Sequence, residues 1–166
     1  MVSEKDLYPV ISNWLSRLLK SRFGRSKIIV EDTSRIKLSR WLENKGINSR
    51  VRYGQFFDFK VDISAAIIGD KGVRLYLMEC KTKPITIKDL SQILGYGRIV
   101  EPYRAVIISP SGVSKNLFRL IMVSGRTDVL RYNHTKKTDS LIRICKWDIE
   151  RNDVDFLASI PLGYHP

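Results

Sequence analysis

The sequence contains little cysteine and no long apolar segment, and each shortage argues against a class of protein. Its two cysteines, Cys80 and Cys145, lie far apart and outside any CxxC or Cys/His spacing typical of zinc sites. No apolar run approaches the roughly 18 residues that span a bilayer. The first residues, Met1 to Asp6, are charged where a signal peptide needs an apolar core. These features predict a cytoplasmic protein in a reducing compartment, without a zinc site, a cysteine-ligated cluster or a membrane partner.

Acidic residues are scarce relative to basic ones. The chain has 29 Lys and Arg against 17 Asp and Glu, a formal net charge of +12. A field of this sign attracts polyanions, so nucleic acid is the first candidate partner, although a basic protein need not bind one. The cluster of candidate phosphate contacts lies in the first third of the chain: Arg17, Lys20, Arg22, Arg25, Lys27, Arg35, Lys37, Arg40, Lys45, Arg50 and Arg52.

The length of 166 residues and the apolar fraction of 43% predict one globular α/β domain over residues 1–166. Helical spacing of apolar residues predicts helices over 4–22, about 36–42, 86–100 and 114–123. Stretches rich in aromatic and β-branched residues predict strands over 27–31, 50–53, 57–68, 73–78, 103–109, 129–132 and 141–147. The apolar run 103–109 is typical of a central strand. Turns are expected at Gly54, at Gly69 to Gly72 and at Asn133 to Ser140.

Two charged residues end the predicted strand that begins at Val73. Because side chains alternate along a strand, Glu79 and Lys81 share one face. Asp62 lies on the preceding predicted strand, and neighbours across a hairpin are about 5 Å apart. Two carboxylates so close repel each other unless a cation lies between them, and their oxygens suit Mg²⁺ or Mn²⁺. An isolated Glu-x-Lys is more often a solvated pair, so it is the order and context of the three residues that predict a site.

Val61-Asp62 followed by Met78-Glu79-Cys80-Lys81 resembles the Asp…(D/E)-x-K signature of the PD-(D/E)XK nuclease superfamily. Valine stands where the literal motif has proline. Asp58 competes for the role of first acid, and Asp62 is preferred because the apolar stretch from Ile63 to Ile68 follows it directly. The resemblance implies Asp62, Glu79 and Lys81 as catalytic residues, with Asp62 and Glu79 as metal ligands.

Two further motifs extend this resemblance. Glu4-Lys5-Asp6-Leu7-Tyr8 resembles the ExDLY opening of some members, which implies Glu4 as a third catalytic acid; equally, Glu4 is a carboxylate stabilised by a helix amino terminus. Gln92-Ile93-Leu94-Gly95-Tyr96 matches the QxxxY motif of the RecB-like branch, and the i,i+4 spacing puts Gln92 and Tyr96 on one helical face. These two side chains are expected to bind substrate phosphate or to hold Lys81.

The resemblance implies a restriction-endonuclease-like fold, in which a mixed central β-sheet is flanked by helices. It also implies a DNA nuclease that hydrolyses phosphodiester bonds with Mg²⁺ or Mn²⁺. The expected partner is DNA, branched or single-stranded forms included, and a homodimer is a candidate assembly. The alternatives are a Holliday-junction resolvase, a catalytically inactive nucleic-acid-binding module of the same fold, and an interaction protein that binds no nucleic acid.

Overall fold

Most of the regular structure belongs to one mixed β-sheet with helices on both faces. The computed structural model describes residues 3–133 and 140–161. The helices in this part of the chain are α1 (Glu4–Arg22), α2 (Leu38–Asn44), α3 (Ile87–Val100) and α4 (Lys115–Phe118). The strands are β1 (Lys27–Asp32), β2 (Ile63–Gly69), β3 (Gly72–Cys80), β4 (Arg104–Ser109), β5 (Arg143–Asp148) and β6 (Asp153–Ile160).

The six strands lie side by side in sequence order. Strands β1, β2 and β3 are antiparallel, β4 and β5 run parallel to β3, and β6 is antiparallel to β5. Gly69 pairs with Gly72 across a two-residue turn, where Gly72 has a φ of +135° that other residues rarely adopt. Helix α3 connects β3 to its parallel neighbour β4, as a parallel pair requires.

The sheet is buried on both faces because its side chains alternate between two apolar clusters. On one face, Tyr76 and Met78 pack with residues of α1; on the other, Leu75 and Leu77 pack with residues of α2 and α3. We call these the α1 face and the α3 face. Strand β4 is fully covered, with Ala105 to Ser109 all buried, which confirms the prediction of a central strand.

Each of the two long helices begins at a residue that hydrogen bonds to an aspartate three positions later. At α1, the backbone N–H and the hydroxyl of Ser3 both donate to Asp6 Oδ2, at 2.8 and 2.7 Å. Thr86 makes the same two contacts to Asp89 Oδ2 at α3. These reciprocal caps stabilise a helix start. Both helices therefore match their predicted extents. No helix among the described residues is long and apolar enough to cross a membrane.

The predicted strand over 50–53 is wrong, and the one over 57–68 begins too early. Residues 48–50 and 54–56 form short 3₁₀ turns around Tyr53, whose φ of 61° is incompatible with a strand. From Phe57 to Asp62 the backbone bonds elsewhere: Phe57 and Phe59 carbonyls accept from the first turn of α2, and those of Val61 and Asp62 accept from Thr33. Asp62 therefore precedes β2 instead of lying within it.

The carboxy-terminal third also departs from expectation. The helix predicted over 114–123 widens after Phe118 into a π-helical turn. The strand predicted over 129–132 is wrong, because residues 127–130 form a 3₁₀ turn and only one isolated bridge, Arg131 to Leu141, follows. The turn predicted at 133–140 lies largely outside the described residues. Strand β6 was not predicted, since a bulge around residues 156–158 interrupts its alternation.

Candidate functional site

The acids and the lysine of the motif meet at one end of the sheet. Because β2 and β3 are antiparallel and Ile63 pairs with Met78, the residue before β2 lies opposite the residue after Met78. This register puts Asp62 beside Glu79 at the end of the sheet. The backbone N–H of Lys81 donates to the Ile108 carbonyl at 2.8 Å, which ties the end of β3 to β4. We call Asp62, Glu79 and Lys81 the acid–lysine site.

Asp62 is held through both carboxylate oxygens. The Tyr8 hydroxyl of α1 donates to Oδ1 at 2.8 Å, and the backbone N–H of Cys80 donates to Oδ2 at 2.8 Å. Hydrogen bonds to a carboxylate are short and strong, so two of them fix its orientation. Each oxygen keeps a second lone pair for a further partner.

Glu79 is almost completely buried, with 4% of its surface exposed. Burial, followed by the neighbouring charge of Asp62, raises the pKa of Glu79 to about 8, although Lys81 acts in the opposite direction. Near neutral pH the free protein therefore holds this carboxyl largely in its protonated form. A cation between the two carboxyls would favour the ionised form of both.

Lys81 Nζ lies 3.5 Å from Glu79 Oε2. Burial favours its neutral amine, yet the carboxylates of Glu79, Asp62 and Glu4 together raise the pKa of Lys81 above its usual value. The side chain is therefore a permanent cation at the mouth of the site, with 22% of its surface exposed.

Helix α1 contributes two residues at its amino-terminal end. Tyr8 is buried, and burial followed by its hydrogen bond to Asp62 raises the pKa of its hydroxyl, which stays protonated as a donor. Glu4 lies one turn earlier and is half-buried. Its charge acts on Tyr8, Cys80 and Lys81, so it lies near the acid–lysine site, but it makes no hydrogen bond or ion pair with another described residue.

Gln92 and Tyr96 contact each other rather than Lys81. Gln92 Nε2 donates to the Tyr96 hydroxyl at 3.2 Å. The Tyr96 ring stacks on Phe59, with centroids 4.3 Å apart and planes 5° from parallel. Among the described residues neither side chain hydrogen bonds to Lys81, so holding that lysine is not their role in this structure. Their connection to the site runs through Phe59, which precedes Asp62 by three residues.

Asp58, the competing first acid, lies on the surface. Its carboxylate is 71% exposed and pairs with Lys37 at the start of α2. Only Asp62 is placed beside Glu79. Part of the predicted basic cluster is neutralised by neighbouring acids, because Lys37, Arg40 and Lys45 each form an ion pair.

The acid–lysine site offers two carboxylates to a divalent cation. Among residues 3–133 and 140–161, no group of three or more His, Cys, Asp or Glu side chains could hold a metal ion. Mg²⁺, however, is commonly bound through one or two carboxylates and keeps several waters. The free lone pairs of Asp62 fit such an ion, as does the buried Glu79 beside it, which would release its proton when the ion binds. Glu4 would be an outer neighbour.

Sequence reasoning missed two groups that shape the site. Tyr8 ends the motif that begins at Glu4, but only Glu4 was assigned a role there, because a tyrosine on an apolar helix usually signals core packing. The Cys80 backbone N–H carries no sequence signal at all, because its availability depends on β2 starting one residue after Asp62. No protein-family model, curated protein or solved structure matches the chain.

Proposed function

We propose that this protein is a metal-dependent nuclease that hydrolyses phosphodiester bonds in DNA, on a fold of the restriction-endonuclease-like type. One observation carries the proposal: a buried glutamate with a raised pKa lies beside an oriented aspartate and within 3.5 Å of a lysine. Strongly perturbed carboxyl groups that converge with a cation are typical of functional sites. The resemblance of this order of residues to the PD-(D/E)XK signature indicates the reaction.

Asp62 and Glu79 would hold Mg²⁺ or Mn²⁺. When bound, the ion would lower the pKa of a water molecule and offset the negative charge of the scissile phosphate. Lys81 would bind a phosphate oxygen and stabilise the charge that develops on it during cleavage. Tyr8 would keep Asp62 in one orientation, so that little reorganisation is needed when substrate binds. Glu4 would add negative field near Lys81 and keep the ammonium protonated.

The test is a cleavage assay on linear duplex, single-stranded and four-way-junction DNA, with Mg²⁺, with Mn²⁺ and with EDTA. We expect cleavage that depends on the metal and falls at least about a hundredfold in Glu79→Gln and Asp62→Asn. Asp58→Asn is the matched control, because Asp58 is exposed and paired with Lys37. Undiminished cleavage by Glu79→Gln would refute the proposal. Paired, symmetric cuts confined to the junction would assign a Holliday-junction resolvase instead, and binding without cleavage would assign an inactive DNA-binding module.

A further inference from the structure

A basic cleft opens at the other end of β3 from the acid–lysine site. It has a volume of about 820 Å³ and is floored by Gly72 to Leu75 of β3 and by Val100 at the end of α3. Five cationic side chains of the described part of the chain line it: Arg50, Arg52, Lys71, Arg74 and Arg104. Three segments that are distant in sequence supply them, residues 50–52, residues 71–74 and Arg104, so the concentration of charge is a product of the fold.

Four of these cations are available to a ligand. Among the described residues Arg50, Arg52, Lys71 and Arg74 form no ion pair with a carboxylate, and all four are exposed. Among the described residues that line the cleft, Glu101 is the only acidic one. Several unpaired cations around one concave surface focus a positive potential there.

Aromatic rings lie against the guanidinium groups. Arg74 is placed over the rings of Phe23 and Tyr103, at 5.5 and 5.8 Å, and Arg104 over Tyr103 at 4.7 Å. Arg52 lies 4.7 Å over the ring of Tyr53, which is 55% exposed. Stacking holds these groups in place without neutralising them. Fixed guanidinium groups beside exposed aromatics are the combination that binds nucleic-acid strands.

The cleft and the acid–lysine site are connected along one face of α3. Gln92, Tyr96 and Val100 follow each other at intervals of four residues, which places them in one row. Asp89, a turn before Gln92, acts electrostatically on Lys81, whereas Val100 lines the cleft. This row of side chains therefore extends from the acid–lysine site to the basic cleft. At about 3.3 Å per residue, the β3 residues that line the cleft are roughly 13 to 23 Å from Glu79.

We propose that the basic cleft anchors the phosphate backbone of the nucleic acid whose scissile phosphate lies at the acid–lysine site. This inference rests on the proposed nuclease function and adds where its substrate extends. A duplex rises about 3.4 Å per base pair, so the two places are roughly four to seven base pairs apart. The cleft therefore contributes to binding only when the substrate continues that far beyond the cut, and it accounts for affinity rather than for bond cleavage.

The first experiment measures binding without cleavage. Affinity of a 20-base-pair duplex is followed by fluorescence anisotropy in EDTA, on a Glu79→Gln background, with and without Arg52→Ala/Lys71→Ala. Both substituted side chains are exposed and lie outside the core, so the variant folds. We expect at least about tenfold weaker binding in 0.1 M salt and a log–log salt slope that is smaller by about 1.8. Arg98→Ala/Arg119→Ala removes the same charge from exposed positions outside the cleft and should bind within about twofold of the parent.

The second experiment separates anchoring from chemistry. With the Glu79 side chain restored, the cleft variant should raise KM for the 20-base-pair duplex while kcat stays unchanged. Its kcat/KM for a six-base-pair duplex cut at its centre, which extends only three base pairs beyond the cut and so does not reach the cleft, should equal that of the wild type. Equal loss on both lengths, or unchanged binding of the long duplex, would overturn the inference. Competition by pyrophosphate with no effect of duplex length would instead assign the cleft to a small phosphate compound.

The two proposals fail in different ways. Normal cleavage with unchanged binding by the cleft variant would refute the role of the cleft as an anchor and leave the proposed nuclease function standing. If the wild type does not cleave DNA and the cleft variant binds it more weakly, the nuclease proposal is refuted, and the cleft is then the anchor of a DNA-binding protein.

Discussion

The two ends of β3 place charge in opposite ways. At its carboxyl end Glu79 is buried, raised in pKa and 3.5 Å from the Lys81 ammonium. At its amino end Lys71 and Arg74 are exposed and form no ion pair with a described residue. Charge taken out of water is sensitive to every neighbour, and charge left in water is sensitive mainly to salt. One strand thus connects a buried site with a shifted pKa to an exposed surface whose positive charge attracts anions.

Lysine-to-methionine substitutions at the two ends test this division most directly. Lys81→Met should lower kcat roughly 10²- to 10³-fold with little change in KM, because the ammonium beside the phosphate is lost. Lys71→Met removes the same charge at the cleft and should raise KM for long DNA while kcat is retained. Steady-state kinetics on a 20-base-pair duplex measure both values. The same kinetic effect from both substitutions would contradict the division.

The buried glutamate makes stability depend on pH in the absence of metal. In the unfolded chain the pKa of Glu79 is about 4.3, and in the folded protein it is about 8. Between these values the unfolded chain has released a proton that the folded protein retains, so the free energy of unfolding falls as pH rises from about 4.5 to 8. Glu79→Gln should remove this fall, and the difference in melting temperature between the two proteins in EDTA, measured at several pH values, reports it.

Mg²⁺ supplies the control for that titration. It should raise the melting temperature of the wild type most at pH 8 and leave Glu79→Gln nearly unchanged. A wild type and a Glu79→Gln variant whose melting temperatures run parallel with pH would show that the carboxyl ionises normally in the folded protein.

Tyr8→Phe tests how Asp62 is oriented. Hydrogen bonds to charged groups contribute roughly 1.5 to 3 kcal/mol, so the free energy of unfolding should fall by up to that amount, and kcat should fall with it. Tyr53→Phe removes a hydroxyl that bonds only to the neighbouring Arg52 at the surface and should change stability by less than about 0.5 kcal/mol. Chemical denaturation of both variants measures the contrast. A Tyr8→Phe protein as stable as Tyr53→Phe would exclude a contribution from the Asp62 contact.

The row on α3 should give the smallest effects. Tyr96→Phe preserves the stack on Phe59 and Gln92→Ala opens no cavity, so both should lower turnover several-fold while stability changes by less than about 0.5 kcal/mol. Cleavage rate and melting temperature are measured on the same preparations. Wild-type rates would remove any role for these two residues in substrate binding.

The helices and the central hairpin could be predicted because their signals are local. Caps at Ser3 and Thr86 mark where α1 and α3 begin, and alternation along β3 places Glu79 and Lys81 on one face. The position of Asp62 could not be read in the same way. The backbone of residues 57–62 bonds to α2 and to Thr33, contacts that exist only once the chain is folded. The basic cleft could not be predicted from the sequence either, since its charges come from three separated segments.

The turn between β2 and β3 limits how this site can be altered. Asp62 and Glu79 face each other only because two residues, Asp70 and Lys71, close the hairpin between Gly69 and Gly72. One residue inserted in a single strand would rotate every later side chain to the opposite face and separate the acids. Two residues added to each strand would preserve the pairing and lengthen the interval between the acids in sequence. A hairpin of this kind therefore tolerates changes of length only in matched steps.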